Sequence, residues 1–413
     1  MTETRIDEDW LRDPILQSVL AVLNEGDEEA RIVGGPVRNT LLGAPVSDID
    51  IATTCLPEET VRRVEAGGFK AVPTGIEHGT ITVVAGGRPF EVTTLREDVA
   101  TDGRHAEVKF GRDWEADAKR RDFTINALYA TADGEIFDPV GGLADIEGQV
   151  LRFIGDAESR IREDYLRILR FYRFFAWYGR GRPDAEGIRA SAKLKTGLAK
   201  LSAERIWMEL KKLLGAPDPS RALLWMRQAG VLTAVLPESE RWGIDNIHPL
   251  TDAERQFVWP ADPLLRLLAI IPPDAARINE LAGRLKLSTR ERDRLLAYAN
   301  AENPNAEESD GSLRTRLYFG DEIAIVDRLK LALALARHKE NLDASSRLSA
   351  QLSIAERFSS PEFPLSGEDM IAAGYSPGPD LGREMRRLKQ IWAEGGFVMS
   401  RETLMSKAAE TEV

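Results

Sequence analysis

Phe90–Leu95 alternates along an extended chain: Phe90, Val92 and Thr94 fall on one face, Glu91, Thr93 and Leu95 on the other. Similar short runs of β-branched and aromatic residues, set among glycines, mark residues 31 to about 150. Arg31-Ile32-Val33 reads as a strand entering a tight turn at Gly34-Gly35, and Ser47–Ala52 as a second strand. Ile81–Val84 is a third, joined to Phe90–Leu95 by the hairpin turn Ala85-Gly86-Gly87-Arg88-Pro89. Glu97–Trp114 is polar, with two glycines, and is expected to be a mobile loop. After about residue 150 the texture turns helical: Leu166–Tyr178, Ala203–Leu214, Pro219–Ala229 and Asp321–Ala336 have helix-forming composition. A turn at Tyr375–Pro379 precedes a charged helix from about Leu381 to Trp392. The expected class is α+β, a mixed β-sheet with helices followed by an all-helical remainder.

The length of 413 residues suggests two to four domains at roughly 100–200 residues each. Net charge is −12, which excludes a generally basic nucleic-acid coat but not a local basic groove. Residues 151–215 form such a segment, with 15 Lys and Arg against 8 Asp and Glu. One cysteine, Cys55, excludes an internal disulfide framework, and four histidines leave little for a histidine-rich metal centre. The acidic start, Met1–Asp9, has no apolar core of a signal peptide, and no apolar run is long enough to span a membrane. A cytoplasmic protein with no membrane association is expected.

Candidate chemistry begins at Gly34-Gly35-Pro36-Val37-Arg38, where a glycine pair after a strand lets backbone N–H groups approach a phosphate and Arg38 adds a charged fork. About 13 residues on, Asp48 and Asp50 stand at i and i+2 of the expected strand, which would place both carboxylates on one face. Such hard oxygen ligands suit Mg²⁺ with substrate phosphates. Two-metal phosphoryl chemistry calls for a further carboxylate from a neighbouring strand, and Glu91, costly inside a β-branched run unless solvated or metal-bound, is the candidate. An edge-strand Glu facing water is the plainer alternative.

Arg120–Ala127 reads as a helix start in which at most one of Arg120 and Arg121 points at a given ligand. Asp122 could cap or orient there, and Asn126 could bond a sugar hydroxyl. In Glu163–Arg173, Asp164, Arg167, Arg170 and Arg173 recur every three residues, and apolar residues occupy most remaining directions. Buried arginines need anions: a nucleotide triphosphate would serve, with Asp164 and Arg167 reading a base edge, and internal ion pairs are the alternative.

Taken in order, Gly34–Arg38, Asp48–Asp50, Arg120–Ala127, Asp138–Asp145 and Glu163–Arg170 resemble the motifs of class II tRNA nucleotidyltransferases, the CCA-adding enzymes, with bacterial poly(A) polymerases as close relatives. Leu201–Leu210 is similar to the family's next helical motif. Glu91–Trp114 and Glu163–Arg173 also resemble the mitochondrial-type CCA-adding enzymes. The resemblance implies a helical lead-in over 1–30, a nucleotidyltransferase head over 31–150, a helical neck with a base-reading helix over 151–215, and a tRNA-binding body and tail over 216–413. It implies metal binding and catalysis by Asp48, Asp50 and Glu91, with Mg²⁺ as cofactor. Nucleotide contacts would fall to Gly34, Gly35, Arg38, Arg121, Asp164, Arg167, Arg170 and Arg173. Arg104 and His105 would sit in the loop that helps switch from CTP to ATP, and Phe363–Gly367 with Pro377–Pro379 would begin an RNA-contacting tail.

Three departures stand out. Asn39 replaces the usual Asp, which is expected to loosen a support; Pro36 replaces the usual Ala; and no His-Asp dipeptide occurs, so the phosphohydrolase domain of some members is absent. The implied activity is untemplated addition of C, C and A to the tRNA 3′ end from CTP and ATP, with release of pyrophosphate. The alternatives are a poly(A) polymerase, a partial CC- or A-adding enzyme, and a non-catalytic RNA-binding homologue.

Overall fold

The computed structural model describes residues 5–102 and 105–409, and the chain divides into two compact units at Pro237/Glu238. The first unit opens with helix α1 (Pro14–Leu23), then strand β1 (Ala30–Val33), helix α2 (Gly35–Leu41), strand β2 (Asp50–Thr53) and helix α3 (Pro57–Ala66). Strands β3 (Lys70–Gly75), β4 (Thr80–Ala85), β5 (Arg88–Thr94), β6 (Arg96–Asp102) and β7 (His105–Phe110) follow. Helix α4 (Trp114–Lys119), strands β8 (Tyr129–Ala130) and β9 (Ile136–Phe137), and helix α5 (Gly142–Gly148) complete the α+β part.

Seven strands form one mixed sheet in the order β3-β4-β5-β2-β1-β8-β9. Among the described residues only β2 and β5 pair in parallel; α3 and the β3–β4 hairpin make the crossover between them. The alternation read at Phe90–Leu95 holds over β5: Phe90, Val92 and Thr94 are buried, while Glu91 is exposed. Ile51, Ile81 and Val83 are completely buried, so each contributes roughly 1.5–3 kcal/mol of apolar burial.

Two expectations change here. The second strand starts at Asp50, and residues 44–49 have no regular structure, so Asp48 precedes the strand instead of sharing its pleat. The expected loop Glu97–Trp114 contains β6 and β7, a separate two-stranded ribbon with Arg96 opposite Phe110. Polar residues at consecutive positions erased the period-2 signal there. Arg104 lies outside the described residues, and His105 opens β7.

Helices α6 (Ala157–Glu163), α7 (Leu166–Tyr178), α8 (Ala185–Leu194), α9 (Ala203–Leu214), α10 (Ser220–Gln228) and α11 (Val231–Val235) finish the first unit. Phe123 anchors α7 through ring contacts with Phe171 at 6.3 Å and Phe174 at 5.3 Å. The second unit contains helices alone among the described residues, from Ser239–Trp242 to Arg401–Ala409. Its cores include one around Leu313, Leu329 and Leu352 and another around Met370, Leu388, Trp392 and Leu404. No helix is long and apolar enough to cross a membrane among the described residues.

Candidate active site

Parallel pairing puts Asp50, the first residue of β2, directly opposite Glu91 in the middle of β5, so the two side chains leave the sheet on the same face. Two residues on, the same face carries Ala52, packed with Trp114 and Ala118 of α4. Asp48 stands just before β2, exposed, and accepts a 3.1 Å hydrogen bond from Ser47 Oγ. Burial, and then the negative charge of Glu91 and Asp48, push the Asp50 carboxyl above the ordinary aspartate range, against the opposing charges of Arg121 and Arg38. No three His, Cys, Asp or Glu side chains among the described residues form a ready-made metal cage. The donor chemistry nevertheless fits a hard divalent cation: three carboxylates on two neighbouring segments carry mutual repulsion that a cation and substrate phosphates would relieve.

Beside this cluster β1 ends in Gly34, whose φ of +70° and ψ of −109° suit glycine alone. A Cβ on Gly34 would stand 3.3 Å from the Asn126 carbonyl and 3.9 Å from Arg121 Nη1. Arg38, buried on α2, donates through Nη1 to Asn126 Oδ1 and through Nη2 to Tyr178 Oη at 3.0 Å.

The other arginines of the site are held by carboxylates. Asp117 on α4, 1% exposed, binds both Arg120 at 2.7 Å and Arg121 at 3.0 Å, and accepts from Tyr129 Oη at 2.7 Å. The helical rule that separates adjacent arginines does not apply, because α4 ends at Lys119 and both residues lie beyond it. Instead of starting a helix, Arg120–Ala127 forms a turn with a single 3₁₀ segment, Thr124–Asn126. Asp122 orients Arg170, at 2.6 Å, and accepts from Asn126 Nδ2 at 2.9 Å. The Asn126 amide thus spends one acceptor site on Arg38 and one N–H on Asp122. Burial raises the Asp122 carboxyl, yet the Arg170 charge and the Asn126 bond overcome this and bring it down to about 2.

At the junction of α6 and α7, Asp164 accepts from Leu166 N at 3.0 Å and from Arg205 Nη2 at 2.5 Å. Arg167 Nη1 donates to Glu163 Oε2 and to the Arg160 carbonyl at 2.9 Å. Arg173 donates through Nε to Glu209 Oε2 at 2.6 Å. The internal ion pairs weighed as an alternative for the Glu163–Arg173 stripe are therefore present. They leave donors over: among the described residues Arg121 Nη1 and Arg173 Nη1 and Nη2 have no acceptor.

Sequence reasoning assigned no role to Asp117, Tyr129, Tyr178, Arg205 or Glu209. Asp117 had a usable signal, since it stands three and four residues before Arg120 and Arg121. The others act across long sequence separations. Asp138 proves structural: its carboxylate accepts from Gly142 N at 2.8 Å and Leu143 N at 2.9 Å and so caps α5.

Residues 30–152 match a family model described as the poly A polymerase head domain, and residues 184–242 match one described as the probable RNA- and SrmB-binding site of polymerase A. Fold and site together define a nucleotidyltransferase. Over 403 residues the chain is 34% identical to the mitochondrial CCA tRNA nucleotidyltransferase 1 of Mus musculus, covering 96% of this chain and 90% of that protein. It is 35% identical to a CCA-adding enzyme of Streptococcus pneumoniae, covering 94% of each. The crystal structure of the Bacillus stearothermophilus CCA-adding enzyme in complex with CTP superposes with a TM-score of 0.77 at 27% identity, covering 96% of this chain and 97% of that one. The chain belongs to the family of CCA-adding tRNA nucleotidyltransferases.

Proposed function

We propose that this protein adds C, C and A to the 3′ end of tRNA from CTP and ATP, without a nucleic-acid template, and releases pyrophosphate. The observation that carries this reading is the register that sets Asp50 against Glu91, with Asp48 alongside, next to the Gly34 turn. The tRNA 3′-hydroxyl attacks the α-phosphate of the bound nucleotide. Enzymes of this family use divalent metal ions; here Mg²⁺, held by Asp48, Asp50 and Glu91, would supply positive charge that lowers the hydroxyl's pKa and offsets charge on the leaving oxygen. Gly34, Gly35, Arg38, Arg121, Arg170 and Arg173 bind the triphosphate and neutralise the charge that grows on pyrophosphate.

Asp164 and Arg167 select the base. Cytosine and adenine each offer an exocyclic amine beside a ring nitrogen acceptor; uracil and guanine reverse both. A carboxylate accepts and a guanidinium donates, so this pair matches the first two bases alone. Each Asp164 oxygen spends one bond within the protein and keeps a lone pair for the amine.

Residues 31–150 act as catalytic head and 151–215 as base-reading neck. The helices from 216 hold tRNA, mostly through phosphates and shape, with an affinity that falls as salt rises. The same reading places the enzyme in the cytoplasm; its one cysteine, Cys55, is buried and free.

The test is to incubate end-trimmed tRNA with all four nucleotides and sequence the 3′ ends. Three added residues, C, C and A, are expected. Long A tracts on many RNAs would establish a poly(A) polymerase, a reading that the match of residues 30–152 to a poly A polymerase head keeps in play. Addition of CC or A alone would establish a partial enzyme.

A further inference from the structure

Asn39 follows Arg38 on α2, at the position where the family's usual residue is Asp. Its Oδ1 accepts from Arg38 Nε at 3.1 Å and from Nη2 at 2.9 Å. Guanidinium groups only donate, so this pair fixes which way the amide faces. The Nδ2 group then donates to the Pro45 carbonyl at 2.8 Å, and the Asn39 backbone carbonyl accepts from Ala44 N at 2.8 Å. These two hydrogen bonds tie the start of segment 44–49 to α2, and the pairing of β2 with β5 holds its far end. Asp48 stands on that segment, three residues beyond Pro45.

We propose that Asn39 is a positioning residue whose amide sets where Asp48 stands relative to Asp50 and Glu91, an inference that rests on reading Asp48 as a metal ligand. The amide also belongs to a continuous polar chain. Arg170 donates to Asp122, Asp122 accepts from Asn126, Asn126 accepts from Arg38, Arg38 donates to Asn39, and Asn39 donates to Pro45. Helix α7, which carries Arg167 and Arg170, is thereby linked to the loop that carries Asp48. An aspartate at 39 would still accept from Arg38, but it would set a second acceptor against the Pro45 carbonyl and leave the loop held there by the Ala44 backbone bond alone. The departure from the family pattern therefore supplies a support instead of loosening one.

Asn39→Asp isolates this bond, since it keeps the Arg38 acceptor; Asn39→Ala removes both bonds and shows whether added charge is responsible. Both are compared with Asp48→Ala by steady-state kinetics and by Mn²⁺ binding to the enzyme–CTP complex, read from water-proton relaxation. Expected for both Asn39 variants are a roughly tenfold fall in kcat and in Mn²⁺ affinity, with KM for CTP and ATP held within about twofold. Unchanged kcat and Mn²⁺ affinity, with Asp48→Ala inactive, would overturn the role of Asn39 and leave the metal reading standing. A raised KM for CTP at constant kcat would also overturn it, because Asn39 would then act through Arg38. Full Mn²⁺ binding and activity in Asp48→Ala would instead remove the metal reading itself.

Discussion

Arg205 Nη2 donates to Asp164 Oδ2 at 2.5 Å, and this ion pair joins α9 to the residue between α6 and α7 that is proposed to read the base. Both side chains are mostly buried, at 17% and 19% exposure. Further along, Arg173 pairs with Glu209, and Trp177 Nε1 donates to the Lys212 carbonyl at 2.9 Å, so α7 and α9 run parallel with polar links at both ends and the middle. Without Arg205, Asp164 keeps its bond to Leu166 N and loses its lateral restraint. Arg205→Ala is expected to blur the choice of CTP and ATP over UTP and GTP by about tenfold, on the scale of one charged hydrogen bond. Arg167→Ala should do the same directly. Misincorporation assays with each nucleotide alone check this; unchanged discrimination in Arg167→Ala would reject the base-reading role.

The raised Asp50 carboxyl makes the site a burden on the fold. A group whose folded pKa lies above its unfolded value contributes stability below the unfolded pKa and loses it as pH rises through the folded one. Ionising Asp50 in the folded protein thus carries a cost from burial and from its acidic neighbours. Asp50→Asn is expected to abolish nucleotide addition, by about a thousandfold or more, while raising the melting temperature at pH 7. The gain should shrink as pH falls through the raised range of the folded carboxyl towards the ordinary aspartate value, and level off below it. Thermal melts of both proteins between pH 3.5 and 8, beside a single-turnover assay, measure the two effects. A fully active Asp50→Asn protein would contradict the assignment of this carboxylate.

Asp122 works in the opposite direction. Its carboxyl, brought down to about 2 by Arg170 and Asn126 despite burial, contributes stability that is present above the ordinary aspartate pKa and lost as pH falls towards 2. Removing it strands Arg170 and Asn126 Nδ2 in a largely buried setting. Asp122→Ala should cost about 3 kcal/mol, the lower end of the range for breaking a buried pair, since Arg170 is 32% exposed. Asp122→Asn should cost less and flatten the acid limb of the stability profile. Denaturant titrations at pH 3 and pH 7 test both.

The strands and helices that line the site were legible because each buries one face or one stripe: Phe90, Val92 and Thr94 announce β5, and Leu166–Tyr178 is α7 to the residue. The turn after β1 was legible from its glycine pair. The parallel register was not, because residues 50 and 91 meet only once β3 and β4 have been folded between them. Nor were the restraining partners Glu209, Tyr178 and Arg205, which lie 35 or more residues from the arginines and aspartate they hold. The ribbon β6–β7 escaped because polar residues at successive positions mask its alternation.

Gly34 and Gly35 separate two demands on the glycine pair. At Gly34 the backbone is left-handed, and an added Cβ would press on the Asn126 carbonyl at 3.3 Å. At Gly35, the first residue of α2, the nearest atom to an added Cβ is Arg38 Nη2 at an ordinary 3.9 Å, and no left-handed φ is required. Gly34→Ala is therefore expected to strain the backbone by about 1–3 kcal/mol and to lower the melting temperature by about 3–8 °C. Gly35→Ala should leave the melting temperature unchanged or slightly higher, because alanine favours the helix. If the triphosphate approaches the backbone at this turn, the methyl group blocks it, and KM for CTP and ATP should rise about tenfold or more while the fold stays intact. A Gly35→Ala enzyme with unaltered KM would show that Gly35 does not lie against the phosphates.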